Sequence, residues 1–184
     1  MKNFLVKHKT KFIMALLMAF CIALDQISKV LIVRNLEFIE EKGSITLIKR
    51  LINLTYTENR GAAFGILDDH RWIFMTVSVI AIVGIAVYLF GFCKENWLFQ
   101  LGLTLIVSGG IGNMIDRIAL GYVIDMLEFD FMEFAIFNLA DSFICVGAGL
   151  VILMLIIEII NESKKEKSDC KEIVVELEAD NDNN

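Results

Sequence analysis

Four stretches of the chain, residues 12–33, 72–93, 97–119 and 137–160, are predominantly apolar. An α-helix rises 1.5 Å per residue, so about 20 apolar residues cross the ~30 Å hydrocarbon core of a bilayer. A chain of 184 residues with 57% hydrophobic side chains has too little polar material to cover four such helices in water. The expected fold is therefore an all-α membrane protein with four transmembrane helices. The second stretch has no charge between Trp72 and Cys93, and only Lys94, Glu95 and Asn96 separate it from the third, so these two form a tight helical hairpin. Trp72 and Trp97 stand at helix starts, where interfacial aromatics concentrate. Disorder of the whole chain and a disulfide-stapled secreted fold are both excluded by this composition.

The net charge of −6 is unevenly spread. Lys2, Lys7, Lys9 and Lys11 precede the first span, Lys94 lies between the second and third, and Lys164, Lys165 and Lys167 follow the fourth. Lys and Arg accumulate on the cytoplasmic side, so both termini and the 2–3 turn are expected inside. Residues 34–71 and 121–136 then face outward. The second of these carries Asp125, Glu128, Asp130 and Glu133 with no Lys or Arg. Nothing resembles the basic patch of a nucleic-acid binder, so no such partner is expected.

Residues 1–160 are expected to form one four-span domain, and residues 161–184 a charged cytoplasmic tail, partly disordered. The first span has the basic lead and apolar run of a signal peptide. It lacks an A-x-A cleavage site, Phe20 is too bulky before Cys21 for a lipobox, and the run continues to Val33, so it reads as a retained span. Cys21, Cys93 and Cys145 fall in or beside apolar runs and read as small buried hydrophobes. Residues 43–54 are rich in Ile, Leu and Thr and predict one or two short strands, a small extracytoplasmic β element between spans 1 and 2. Asn59-Arg60-Gly61 is a turn signal.

Ionisable groups inside spans are expensive, about 2.5–3.5 kcal/mol each on insertion scales, and so demand a reason. Asp25 and Lys29 stand at i,i+4 on one helical face. They read either as an ion pair that locks the helix or as part of a chemical site. Asn113, Asp116 and Arg117 share a face at the end of the third span, beside Gly109, Gly110 and Gly112. That group is either a packing notch with a satisfied polar cluster or a substrate contact. Asn138 and Asp141 open the fourth span, where the helix dipole favours a carboxylate.

Span 3 runs outward and span 4 inward, so Asp125 and Asp141 flank one short outer connection and can meet at the membrane surface. Two apposed carboxylates cannot both ionise cheaply, and one keeps a proton. The ionised one can then activate a water and the protonated one polarise a peptide carbonyl, which is aspartic-protease chemistry. Spacing alone leaves a helix-start acid and a loop acid as the plainer readings.

Four blocks taken together resemble the lipoprotein signal peptidase family, also called signal peptidase II. They are Leu24-Asp25-Gln26-Ile27-Ser28-Lys29, then Asn59-Arg60-Gly61-Ala62-Ala63-Phe64-Gly65. The third runs from Gly109-Gly110-Ile111-Gly112-Asn113-Met114-Ile115-Asp116-Arg117 to Gly121-Tyr122-Val123-Ile124-Asp125, and the fourth is Phe137-Asn138-Leu139-Ala140-Asp141-Ser142. The resemblance implies a membrane aspartic endopeptidase with Asp125 and Asp141 as its catalytic dyad. Asn59, Gly61, Asn113, Arg117, Asn138, Asp25, Lys29 and Asp116 would be the substrate-binding and structural residues around it, with no metal and no cofactor. It also implies diacylglyceryl-modified prolipoproteins as substrates, cut before the lipidated cysteine, and inhibition by globomycin-type cyclic peptides. The location would be a bacterial cytoplasmic membrane, in contact with its lipid, with the active site at the outer face. The chain departs from the family at Met126, where Phe is usual, and in having no proline before Phe137.

A channel or transporter would place charges along a midplane path, which Asp25 and Lys29 suggest but Asp125 and Asp141 do not. A serine protease would need a base, and His8 and His70 accompany no G-x-S-x-G. A metalloprotease would need H-E-x-x-H, which is absent.

Overall fold

The computed structural model describes residues 9–61, 71–93 and 96–182. Lys2, Lys7, His8, His70, the turn residues 94–95 and residues 62–65 of the second block lie outside these.

Helix α1 (Lys9–Arg34) buries Met14, Cys21, Asp25, Lys29 and Ile32, a single stripe of three- to seven-residue spacing. Phe12, Leu16, Phe20, Leu24, Ile27 and Leu31 on its other faces are exposed, as a lipid-facing surface requires. After the short α2 (Leu36–Lys42), strands β1 (Ile45–Ile48) and β2 (Ile52–Asn59) form a hairpin. Helix α3 (Arg71–Val87) ends in a π-helical turn, Tyr88–Phe92. The ammonium of Lys11 donates to the Phe90 carbonyl there at 2.6 Å, satisfying a backbone acceptor that the π turn redirects. Helix α4 (Trp97–Ala119) is capped by Asn96, whose side chain accepts from the Leu98 N–H. It is followed by β3 (Val123–Phe129) and α5 (Leu139–Asp182).

Among the described residues four helical segments are long and apolar enough to cross a bilayer: Lys9–Arg34, Met75–Phe92, Trp97–Ala119 and Leu139–Lys165. They match the spans expected from the sequence. The 44 residues of α5 extend about 66 Å, twice the hydrocarbon thickness, so the helix continues well past its apolar part and takes in the charged residues after Asn161.

Helix α4 lies against α1, α3 and α5 and is the most buried of the four. Its contact with α5 is made by glycines. A Cβ on Gly102 would sit 2.8 Å from the Gly147 carbonyl oxygen, and one on Gly147 would sit 2.5 Å from that of Gly102. Small residues on both helices therefore bring the backbones into direct contact, which is how helices associate where no hydrophobic force acts between them. Thr104 and Ser108 return their hydroxyls to the carbonyls of Gln100 and Thr104 and so remain satisfied inside the bundle.

The sheet is antiparallel in the order β1-β2-β3. The one or two short strands expected over residues 43–54 are present as β1 and β2, with β2 running on to Asn59. The third strand comes from the connection between α4 and α5. Its segment, Val-Ile-Asp-Met-Leu-Glu-Phe, puts an acid on each face of the strand, which disguises the alternation of a strand as an acidic loop. Ile124 and Met126 pack with Ile32 and Ile39 in one apolar cluster, so the sheet is seated on the end of α1 and on α2. Met126, one of the departures from the family pattern, is a core side chain with 3% exposure.

Candidate active site

Asp125 is placed by the turn that ends α4. Leu120 and Gly121 both donate to the Asp116 carbonyl, and Gly121 has φ +87°, a conformation open to glycine at little cost. The chain reverses there and enters β3 at once. Asp116 Oδ2 accepts the Ile124 N–H at 3.2 Å, fixing the strand to the helix one residue before Asp125. Across the sheet Asp125 is paired with Thr57, and Asn59, two residues on, shares its face. Asn59 Nδ2 donates to Asp125 Oδ2 at 2.9 Å. The Gly61 N–H donates to Asn59 Oδ1, an Asx turn that fixes which end of the amide meets the carboxyl.

Asp141 is placed by the start of α5. Asn138 is the N-cap and Asp141 the third helical residue. Asn138 Oδ1 accepts the Asp141 N–H at 3.0 Å, and Asp141 Oδ2 accepts the Asn138 N–H at 3.2 Å. This is a reciprocal capping box built from Asn and Asp. The N–H of Phe137 donates to the Leu127 carbonyl, and the Phe137 carbonyl accepts from Met126 and Leu127, so the entry to α5 is pinned to β3.

The two carboxyls are joined through two asparagines. Asn138 Nδ2 donates to Asp125 Oδ1 at 2.6 Å and to Asn113 Oδ1 at 3.1 Å. Asn113 Nδ2 donates to Asp141 Oδ1 at 2.7 Å. Asp125 is 2% exposed and Asn138 fully buried, while Asp141 is half-buried. Burial raises the proton affinity of the Asp125 carboxyl from its ordinary 3.8 to about 6, and the nearby Asp141 charge adds to the rise. The hydrogen bonds from Asn59 and Asn138 and the Lys29 charge oppose it. Stability contributed by protonated Asp125 is therefore present below pH 3.8 and lost as pH rises through about 6. Burial of Asp125 and the charge of the neighbouring Asp141 both favour a proton on Asp125, and a carboxyl that keeps its proton can donate it.

Beneath the pair lies an ionic cluster. Lys29 Nζ is 2.8 Å from both Asp25 Oδ2 and Asp116 Oδ2, and 3.2 Å from Asn113 Oδ1. All three charged groups are at most 3% exposed. The Asp25–Lys29 ion pair read from their spacing is thus present, and Asp116 joins it. Asp25 Oδ1 also accepts the Ala140 N–H at 3.0 Å. Gln26, not singled out from the sequence, donates from Nε2 to Asp25, Asp116 and the Gly112 carbonyl. Like Asp25 and Lys29, this amide is a polar group inside a span and needs partners there. Arg117 is half-buried on α4, with Nη1 3.5 Å from the Asn113 carbonyl. Among the described residues no three His, Cys, Asp or Glu side chains converge into a metal-binding group.

The family model described as signal peptidase (SPase) II matches residues 17–157. The chain belongs to the signal peptidase II family. Members are membrane aspartic peptidases that remove signal peptides from prolipoproteins. The lipoprotein signal peptidase of Streptococcus pneumoniae is 39% identical over 153 residues, covering 83% of this chain and 98% of that one. That of Streptococcus pyogenes is 45% identical over 148 residues, covering 80% and 93%. A bacterial membrane enzyme solved by the in meso method superposes with a TM-score of 0.70 at 28% identity, covering 80% of this chain and 90% of that one. The match to the family ends within α5, so the charged continuation of that helix lies outside it.

Proposed function

We propose that Asp125 and Asp141 are the catalytic pair of this signal peptidase II, and that it cuts diacylglyceryl-modified prolipoproteins just before the lipidated cysteine. The observation that carries the assignment is the Asn138–Asn113 link, which holds carboxyls from β3 and α5 in one hydrogen-bonded unit. Asp141, ionised, takes a proton from a water. The oxygen attacks the scissile carbonyl carbon, and Asp125 gives its proton to the carbonyl oxygen. Collapse of the tetrahedral intermediate breaks the C–N bond as Asp141 passes its proton to the leaving amine and Asp125 regains one from a hydroxyl of the intermediate, which restores both acids. Asn59 and Arg117, at the margin of the pair, are assigned to the substrate backbone. Globomycin-type cyclic peptides would occupy the same place. The assay is cleavage of a lipidated prolipoprotein by purified enzyme, compared with Asp141→Asn.

The pH profile follows from the same roles. The proton on Asp125 is needed, so activity falls as pH rises through the value at which it is lost. The Asn59 hydrogen bond favours the ionised form of Asp125. In Asn59→Leu the alkaline limb of kcat/KM is expected to move to higher pH. A limb that stays in place or moves down contradicts the role given to Asn59.

We further place both termini in the cytoplasm and the pair at the outer face of a bacterial cytoplasmic membrane. Lys9 and Lys11 at one end of α1 and Lys164 and Lys165 beyond the apolar part of α5 support this orientation. A reporter fused after residue 165 should behave as cytoplasmic and one fused at residue 50 as external. The reverse result at either position overturns the orientation.

A further inference from the structure

Lys29 offers three protons and meets three acceptors, Asp25 Oδ2, Asp116 Oδ2 and Asn113 Oδ1. An ammonium donates and never accepts. The atom of Asn113 that faces it must be the amide oxygen, so the amide nitrogen faces the other way, onto Asp141 Oδ1. Asn138 Nδ2 gives a second donor to the same Asn113 oxygen. Asn138 is itself fixed, because its own oxygen takes the Asp141 backbone N–H. Both amides are thus oriented by groups that cannot reverse, an ammonium and a backbone N–H. The anchors of Lys29 also reach the reacting pair through the main chain. Asp25 holds the N–H of Ala140, the residue before Asp141, and Asp116 holds the N–H of Ile124, the residue before Asp125.

We propose that Lys29 is a positioning residue for the hydrolysis, holding the Asn113 amide with its N–H side on Asp141 so that this carboxyl stays ionised and aimed at the water. The proposal rests on the assignment of Asp125 and Asp141 as the reacting pair. Without the ammonium, the Asn113 amide is free to turn its oxygen toward Asp141. Two acceptors then face each other, and the protonated carboxyl is favoured. Asp141 lies within electrostatic reach of Asp125 on β3 and is joined through Asn113 to Lys29 on α1, which pairs with Asp25 and Asp116, while Arg117 on α4 lies near the Asn113 carbonyl. Removing Lys29 alone would leave Asp25 and Asp116 buried and uncompensated, which confuses orientation with charge. In Lys29→Met/Asp25→Asn and in Lys29→Met/Asp116→Asn the cluster keeps its single net negative charge and loses the directional donor. The new asparagine keeps one oxygen that can still accept the Ala140 or Ile124 N–H, and each variant leaves the other carboxylate anchor intact.

The test is kcat/KM on a lipidated prolipoprotein across the pH range, in the same detergent, with thermal unfolding as the check on folding. The acid limb of both double variants is expected to move to higher pH by about one unit, so kcat/KM on that limb falls ~10-fold while the value at its maximum changes far less. A merely structural role would lower kcat/KM by the same factor at every pH. That outcome, or an acid limb unchanged in either folded variant, overturns the proposal. A second measurement needs no change at Lys29. In the ¹⁵N-labelled parent enzyme, the Asn113 side-chain amide resonance should shift along the acid limb, and this shift should vanish in Asp141→Asn. An Asn113 amide that does not respond to pH overturns the proposal as well. Full activity of a folded Asp141→Asn would instead remove the reading beneath it, a distinct result.

Discussion

Asp125→Asn and Asp141→Asn are each expected to lower kcat on lipidated prolipoprotein at least ~100-fold, the lower end of what a positioned general acid or base contributes. Asparagine keeps the size of the side chain. At position 125 it takes away the proton donated to the carbonyl oxygen, and at position 141 the base that accepts a proton from water. The two groups act as one unit, so the double variant should be hardly slower than either single one. Multiplicative losses would show two independent contributions and contradict a shared reaction. Glu128, Asp130 and Glu133 provide internal controls, being acids of the same connection outside the hydrogen-bonded unit of the pair. Asp130 accepts from Asn53 at the surface of the sheet. Amide variants of these three should retain most of the activity. Chelators should leave it intact, since no step runs through a metal.

The second large effect is expected from Gly109, which has no part in the chemistry. A Cβ there would run into the Ala140 carbonyl oxygen and lie 2.7 Å from Ile144 Cγ1. The obstacle is backbone, which cannot step aside as the end of a flexible side chain can. Gly109→Val therefore has to push α4 away from α5 at the very point where Asn113 must reach Asp141. Overpacking of this kind destabilises by roughly 1–3 kcal/mol, occasionally more. We expect lower abundance, a reduced Tm and loss of turnover in the folded fraction. Gly149→Ala is the matched control, because a Cβ at Gly149 meets nothing within 4 Å. Alanine is the better helix former by about 1 kcal/mol, so that variant should be as stable as the parent or more so. Equal effects of the two changes would show that helix propensity, not the α4–α5 contact, governs the bundle.

How much of this was legible in the residues follows from where each signal is local. The spans are set by long apolar runs, which a helix converts directly into length, and all four stand where hydropathy puts them. The Asp25–Lys29 pair is a matter of one helix and its i,i+4 geometry, and it too is read directly. Strand β3 is different. Its apolar residues Ile124 and Met126 are buried by α1, α2 and the β hairpin, far away in the sequence, and its acids hide the alternation. The linking roles of Asn113 and Asn138 are also tertiary. Each amide could point either way, and the direction is decided by Lys29 from another helix and by the cap of α5. Gln26 carries no charge that would mark it within a span, although three acceptors from two helices converge on its nitrogen.

The most direct test of the central claim is mass spectrometry of the products from one diacylglyceryl-modified prolipoprotein incubated with parent enzyme and with Asp141→Asn, both shown to be folded by thermal unfolding. The parent should release the intact signal peptide and a mature chain that begins with the lipidated cysteine, while Asp141→Asn should leave the substrate whole over the same time. The same two products from Asp141→Asn at the parent's rate would contradict the assignment of Asp125 and Asp141 as the reacting pair.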